Sequence, residues 1–188
     1  MRVQEKPGTK SCTGLCLGKS ATVIKWLTEG VELPLETWPE ALALGEYFAD
    51  ATQSVLLGIE LSKLLRLGAI RARRKIPRII MPIFGIPKED GSLRLIHDER
   101  EINRLLPDQT FSLETLRVAK ELLKRGDWMV ALDQRMGYYA IPVKEEFQTL
   151  LGFRFGGPLE GEESKKRWRE RIFTWQCLPM GNKLSGKI

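Results

Sequence analysis

Apolar positions along the chain fall into short blocks whose period changes several times. Leu57, Leu61, Leu64 and Leu65 keep a helical spacing. Trp38-Pro39-Glu40 places a proline where a first helical turn tolerates one, and Gly68 suits a C-terminal cap, so the pattern predicts a helix over 38–67. The run RIIMPIFGIPK is apolar but broken by Pro82, Gly85 and Pro87, and reads as an edge-like strand. Lys88-Glu89-Asp90-Gly91-Ser92 has turn composition, and Leu93-Arg94-Leu95-Ile96-His97 is the returning strand of a hairpin. Ser112 can cap a helix running to about Arg125, with Leu113, Leu116, Ala119, Leu122 and Leu123 on its apolar face and Gly126 ending it. DWMVALD, 127–133, reads as a buried strand with an acid at its end. Residues 144–151 suit a short helix, and 152–156 and 171–175 a second strand pair, with a charged, solvated loop between them. Strands mixed with helices, with a long hairpin early, predict an α+β architecture.

Composition narrows this picture. The 188 residues, 43% of them apolar, suffice for one domain with a core. The order of segments suggests a flexible arm over 1–20, a helical lead-in over 21–75 and the main domain over 76–188. No apolar run is long enough to cross a membrane, and the charged N-terminus lacks an apolar segment, so an intracellular, unsecreted protein is expected. Cys12, Cys16 and Cys177 are too few for a disulfide framework, and His97 is the only histidine, which disfavours a Cys-His metal cluster or a histidine-based triad. The string GLCLGKS lacks the first glycine of a phosphate loop, because Thr13 stands there. Lys and Arg exceed Asp and Glu by 30 to 24, and Arg66, Arg71, Arg73, Arg74, Lys75 and Arg78 crowd one stretch while Lys165, Lys166, Arg167, Arg169 and Arg171 crowd another. Such clusters suit a polyanionic partner.

Four patterns then follow in order: IPKEDGSLRLIHDEREIN, MVALDQRMGYYAIPV, the strand pair with LGFRF and IFTWQCL, and LPMGNKLS. Taken singly, each is ordinary: a solvated hairpin, a capping Asp, a turn. As an ordered set they resemble the reverse transcriptases of retroelements, most closely the DIRS-type and gypsy-type. Pro87 to Arg94 is similar to the fingers hairpin P-K-[KE]-D-G-S-x-R, and Asp98 to Asn103 to D-x-R-E-[LI]-N. Leu132-Asp133 with Gly137 to Pro142, then Cys177 to Gly181, are similar to the two palm motifs. Trp26 to Pro34 and Leu67 to Ile70 look like the DIRS-type lead-in, so the resemblance spans about 22–185.

The resemblance implies the fingers and part of the palm of a right-hand polymerase, truncated before the central palm hairpin. It implies Asp133 as catalytic carboxylate and Mg²⁺ or Mn²⁺ ligand, with the Gln134 carbonyl as a second oxygen donor, since hard cations take oxygen ligands. Lys88 and Arg94 would neutralise the dNTP triphosphate, and the Met136 and Gly137 amides would meet phosphate. Tyr138 would lie under the sugar, and Met180 and Gly181 against the incoming base. Arg100 and Asn103 would steady the template side, or serve as a surface ion pair and a turn residue. Partners would be an RNA or DNA template-primer, dNTP and, through an exposed sheet edge, a partner chain or a second copy.

The sequence also departs from the family pattern. The paired aspartates of [FY]-x-D-D are missing, since no Asp-Asp pair occurs in the 188 residues. Gln134 to Met136 and Ser185-Gly186 differ from the usual residues as well. Two expectations result: a polymerase fragment inactive alone, or a non-enzymatic nucleic-acid-binding or interaction protein that reuses the fold.

Overall fold

A computed structural model describes residues 21–47, 50–108, 115–128, 130, 137–162 and 170–185. In chain order the described elements are α1 (Ala21–Glu29), β1 (Leu42–Ala43), α2 (Ala51–Leu67), β2 (Ile70–Arg73), β3 (Ile79–Ile80), β4 (Ile83–Pro87), β5 (Leu93–His97), α3 (Arg100–Leu105), α4 (Leu116–Leu122), a 3₁₀ turn (Gly137–Ala140), α5 (Glu145–Gln148), β6 (Gly152–Phe155) and β7 (Arg171–Trp175). Among the described residues, five strands form one sheet in the order β1-β3-β6-β7-β2, and β4 and β5 form a separate hairpin. β1, β3 and β6 are parallel, whereas β6–β7 and β7–β2 are antiparallel. The architecture is the expected α+β.

α2 shows why local chemistry fixes its ends. Asp50 stands in extended backbone and accepts from the Gln53 amide at 2.7 Å, satisfying a donor that the first turn leaves open. At the other end Gly68 takes φ +73, and the Ala69 amide returns to the Leu64 carbonyl at 3.0 Å. Leu57, Leu61 and Leu64 lie on one buried face. The helix expected from residue 38 therefore begins at 51. Residues 42–44 are instead drawn into the sheet, where the Leu42 and Leu44 amides donate to the Arg78 and Ile80 carbonyls, each at 2.9 Å.

The run expected as one edge-like strand is two strands. Ile79–Ile80 lies inside the sheet with a neighbour on each side, and Ile83–Pro87 is a hairpin arm. Pro82 separates them because it has no amide to extend a ladder. Its carbonyl instead accepts from the Asp98 amide at 2.9 Å. The hairpin register pairs Ile83 with His97 and Pro87 with Leu93, as the turn composition predicts. The second strand pair also forms where expected, with Phe153 opposite Phe173.

Two expectations are corrected. Of the helix expected from Leu113 to Arg125, the described part is Leu116–Leu122, with Leu116 90% exposed rather than buried; Ser112 and Leu113, and the side chains of Ala119 and Leu122, lie outside what is described. Of the stretch 127–133 read as a buried strand, 129 and 131–133 lie outside the described residues; within the rest Trp128 is 98% exposed and Val130 81% exposed, so these two are not buried. A strand is buried through its ladder and facing layer, and no described element supplies them here. None of the described helices is long and apolar enough to cross a membrane.

The core gathers side chains from 31 to 184, including Val31, Leu61, Phe153, Phe173 and Trp175. Phe153 stacks on Phe173 with ring centres 5.3 Å apart, and Tyr139 stacks on Trp175 at 5.6 Å. α2 crosses this layer closely at Gly58, where a Cβ would fall 1.7 Å from the Pro158 carbonyl oxygen. Alanine is favoured over glycine in a helix by about 1 kcal/mol, while overpacking costs roughly 1–3 kcal/mol and more when backbone must move. The contact is with backbone, so the cost lies at or above the top of that range, and after the helix gain Gly58→Ala is expected to lower the urea unfolding free energy by about 2 kcal/mol or more. A stabilised variant would show that α2 does not rest on residues 158–159.

Candidate functional site

The β4–β5 hairpin carries the first group of candidate residues. Its turn is fixed by Asp90, whose Oδ1 accepts from the Ser92 amide at 2.9 Å and the Ser92 hydroxyl at 2.6 Å. Those two donors hold the Asp90 carboxyl below its ordinary range. Gly91 takes φ +76, and the Lys88 amide closes onto the Ser92 carbonyl at 2.8 Å. Lys88 thus stands at the turn, and Arg94 stands opposite Ile86 on β5. Both are exposed, and among the described residues neither is held in an ion pair. Two cations on a stiff, solvent-facing arm suit an anionic ligand.

The foot of the hairpin meets the 179–185 turn. Gly181 has φ +117, and a Cβ there would fall 2.7 Å from the His97 carbonyl oxygen, so close approach and backbone conformation both favour glycine. Asn103, on α3, donates from Nδ2 to the Gly181 carbonyl at 2.8 Å and accepts at Oδ1 from the Lys183 amide at 2.8 Å. Lys183 in turn reaches Asp108 at 2.5 Å. Met180 is half-buried beside Gly181. Asn103 therefore clamps the segment that carries the other two candidates.

Arg100 is also engaged. Its Nε donates to Asp98 Oδ1 at 2.8 Å and its Nη2 to Oδ2 at 2.7 Å, a two-point pairing. Tyr47 completes the cluster, donating to Asp98 Oδ2 at 2.5 Å and accepting from Arg100 at 2.8 Å. The Arg100 guanidinium, then the Tyr47 hydroxyl, hold the Asp98 carboxyl well below the usual carboxylate range. The hydrogen bond to Asp98 pushes the Tyr47 phenol up.

The palm-side residues are described in part. Asp133, Gln134 and Met136 lie outside the described residues, as does the side chain of Tyr138. Gly137 opens the 3₁₀ turn, and Tyr139 within it packs on Trp175, its phenol pushed up to about 12 by burial. This segment runs beside the second candidate segment: Pro142 bridges Cys177, and the Leu178 amide donates to the Ile141 carbonyl at 3.3 Å. The stretches holding Gly137 and Met180 are thus neighbours. Cys177 is buried and its thiol is pushed up to about 12 by desolvation, which makes it a packing residue rather than a nucleophile.

The basic stretch divides in two. Arg73 is turned inward to Thr174 and Gln148, each at 2.8 Å, and Arg78 bonds the Pro39 carbonyl. Arg71, Arg74 and Lys75 remain exposed at or beyond the edge strand β2, where charge also discourages edge-to-edge pairing. Residues 163–169, most of the second basic cluster, lie outside the described residues. Among the described residues no three His, Cys, Asp or Glu side chains converge to hold a metal ion. The metal expectation therefore rests on Asp133 and the resemblance alone.

Sequence reasoning missed Tyr47, Glu99 and Asn182. Tyr47 lies 51 residues from Asp98, and Glu99 lies 83 from Asn182. No local spacing signals such contacts.

Residues 86–188 match the family model described as reverse transcriptase (RNA-dependent DNA polymerase). The Pol polyprotein of equine infectious anemia virus (strain Wyoming) is 34% identical over 107 residues, covering 57% of this chain and 9% of that protein. The Gag-Pol polyprotein of Rous sarcoma virus subgroup B (strain Schmidt-Ruppin) is 30% identical over 169 residues, covering 89% of this chain and 9% of that protein. The chain therefore spans less than a tenth of the length of these relatives. The crystal structure of a prototype foamy virus protease-reverse transcriptase (CSH mutant) superposes with a TM-score of 0.61 at 21% identity, over 78% of this chain and 18% of that one. That likeness identifies the polymerase-like fold.

The Asp98 cluster generates a pH prediction. A carboxyl lowered in the folded state contributes stability that is present above its unfolded value, about 3.9, and is lost as pH falls through the folded value. Asp98→Asn is expected to lower the urea midpoint at pH 7 and to flatten its decline between pH 4 and pH 2. Equal acid sensitivity in variant and parent would remove Asp98 from the account.

Proposed function

This chain belongs to the reverse transcriptase (RNA-dependent DNA polymerase) family, and on that premise we propose that it forms the fingers and first palm portion of a retroelement enzyme of the DIRS or gypsy type. In that enzyme a primer 3′-hydroxyl takes a nucleotidyl group from a dNTP under template direction, forming the 3′-oxygen–α-phosphorus bond and releasing pyrophosphate, and divalent cations would stabilise the charge on the phosphates. The observation that carries the reading is the stiff hairpin bearing Lys88 and Arg94, exposed and outside any described ion pair, whose foot closes on Gly181. Cations fixed before a triphosphate arrives need little reorganisation to neutralise it. Gly137, with no Cβ, leaves room for phosphate, and Tyr138 is assigned to the sugar. Met180 and Gly181 face the base, and Asp133 with the Gln134 carbonyl supplies oxygen to a cation. The Met136 amide joins the phosphate contacts. Arg100 and Asn103 act on the template side by holding the hairpin foot and the 179–185 turn in register.

A second reading, nucleic-acid binding without polymerisation, is favoured by one observation. No Asp-Asp pair occurs in the 188 residues, so Asp133 stands as the one carboxylate that the resemblance assigns to metal. Two bridging cations need more acidic oxygen than that. The chain by itself is therefore expected to bind nucleic acid without extending a primer.

Binding of a fluorescent template-primer, measured by anisotropy across a salt series, tests the shared part. Affinity should fall steeply with salt, and Lys88→Ala and Arg94→Ala should each reduce the slope of log K against log salt by about 1. Binding indifferent to salt would count against a basic cleft. Primer extension with Mg²⁺ or Mn²⁺ separates the two readings from activity. Incorporation abolished by Asp133→Ala would mean that this chain holds a working site.

A further inference from the structure

A buried polar cluster lies at the foot of the hairpin. His97 is 1% exposed, Glu99 2% and Asn182 5%. His97 Nδ1 stands 2.8 Å from Glu99 Oε1, and its Nε2 stands 3.3 Å from the Gly152 carbonyl oxygen. The imidazole ring packs between Phe153 and Trp175, at 5.8 and 6.2 Å between centres. Asn182 donates from Nδ2 to Glu99 Oε2 and accepts at Oδ1 from the Leu184 amide at 3.0 Å.

These partners fix the direction of each bond. The Leu184 amide can only donate, so Asn182 presents its oxygen there and its NH₂ to Glu99. The Gly152 carbonyl can only accept, so Nε2 carries a hydrogen. Glu99 must then accept from Asn182 through one oxygen and meet Nδ1 with the other. Each of the three side chains needs the next, because a buried polar group left without a partner carries its full desolvation cost.

We infer that His97, Glu99 and Asn182 form a hydrogen-bonded latch that fixes the 179–185 turn to the foot of β5, making Glu99 and Asn182 positioning residues for the segment carrying Met180 and Gly181. The inference rests on the reading above for what that segment touches, and on the hydrogen bonds alone for the latch. Asn103 grips the turn at Gly181 and Lys183, while the latch grips it at Asn182 and Leu184. Glu99 turns its side chain into the core while its own carbonyl accepts the Asn103 amide at 2.8 Å. One residue thus connects both grips. With both in place, hairpin foot, α3 and turn move as a unit.

The substitution series separates hydrogen bonding from simple filling of space. Glu99→Leu fills the site but offers Asn182 no acceptor. Glu99→Gln keeps an oxygen for Asn182 and presents an NH₂ to a bare Nδ1. Amide hydrogen exchange on the full 188-residue chain reads the outcome at Ser185, whose amide bonds the Asn182 backbone carbonyl at 3.0 Å, against the Phe153 and Phe173 amides of the sheet. Relative to those, Ser185 should exchange about tenfold faster or more in Glu99→Leu and return to within about twofold of the parent in Glu99→Gln. Because His97 is the only histidine, its ¹⁵N ring signals are unambiguous, and Nε2 should be protonated in both parent and Gln variant. Should Glu99→Leu fail to fold, Asn182→Leu carries the same test, since it removes only the turn's side of the latch and keeps the Ser185 acceptor. Unchanged Ser185 exchange in the Leu variant that folds, a Gln variant that behaves like it, or an Nε2 without hydrogen would overturn the inference. No arm reads nucleotide or template binding, so failure of the polymerase reading leaves these outcomes untouched.

Discussion

The antiparallel ladder between Gly152–Phe155 and Arg171–Trp175 is the constraint on which the rest of the molecule depends. It sets Phe153 opposite Phe173, where their rings stack, and leaves Trp175 buried at the end of the ladder. β2 adds to one side by pairing Ile70–Arg73 with the outer edge of β7, and β3 adds to the other through Ile80 and Gly152. The second junction requires glycine, because a Cβ at 152 would fall 2.5 Å from the Ile79 carbonyl oxygen. Truncating a buried Phe or Trp costs about 3–5 kcal/mol, a large part of a small domain's net stability. The three buried rings, Phe153 stacked on Phe173 and Trp175 tilted against Phe153, therefore hold together strands drawn from distant parts of the sequence.

The hairpin bearing Lys88 and Arg94 stands outside this sheet, and that separation matters for function. Among the described residues its strands pair with each other and not with the sheet, so they carry Lys88 and Arg94 beyond the sheet. The arm is held along its base: Ile83, Leu93 and Leu95 are buried in the core, and the Phe84 ring meets Tyr47 edge-on at 5.3 Å. Leu57 of α2 lies against Gly85, where an added Cβ would come within 3.3 Å, and the His97 carbonyl abuts Gly181. A charged arm anchored at its base and exposed at its turn suits a polyanion better than a charged patch on a flat sheet, because its cations project beyond the sheet face.

The hairpin and the β6–β7 pair were legible in the sequence because their determinants are local: turn residues at fixed offsets, alternation, and a glycine at each reversal. The α2 cap at Gly68 was legible for the same reason. Residues 38–50 were not, since Leu42 and Leu44 are settled by carbonyls at Arg78 and Ile80 rather than by their own neighbours. The same distance hid the interior place of Ile79–Ile80, whose apolar run and flanking prolines look alike at an edge and at a centre. Trp128 and Val130 read as core from hydrophobicity, yet burial needs a facing layer, and no described element provides one. Of the candidate site, the motif order brought out Lys88, Arg94, Gly137 and Met180, but the supporting contacts of Tyr47, Glu99 and Asn182 span the fold and leave no periodic trace.

The choice of polar rather than apolar groups at the hairpin foot follows from what each can specify. Leucine or phenylalanine in place of His97, Glu99 and Asn182 would avoid the desolvation of three polar side chains, and such swaps are often neutral or stabilising. Apolar packing, however, tolerates small slides, since dispersion varies gently with position and volume-conserving rearrangements cost little. Hydrogen bonds weaken steeply once distance or angle departs from the optimum. A turn that carries the candidates Met180 and Gly181 gains from directional contacts on both flanks. Asn103 provides one and the buried latch the other. The stability forgone in the core is thus exchanged for a fixed geometry between arm and turn, where the hairpin foot and the 179–185 segment meet.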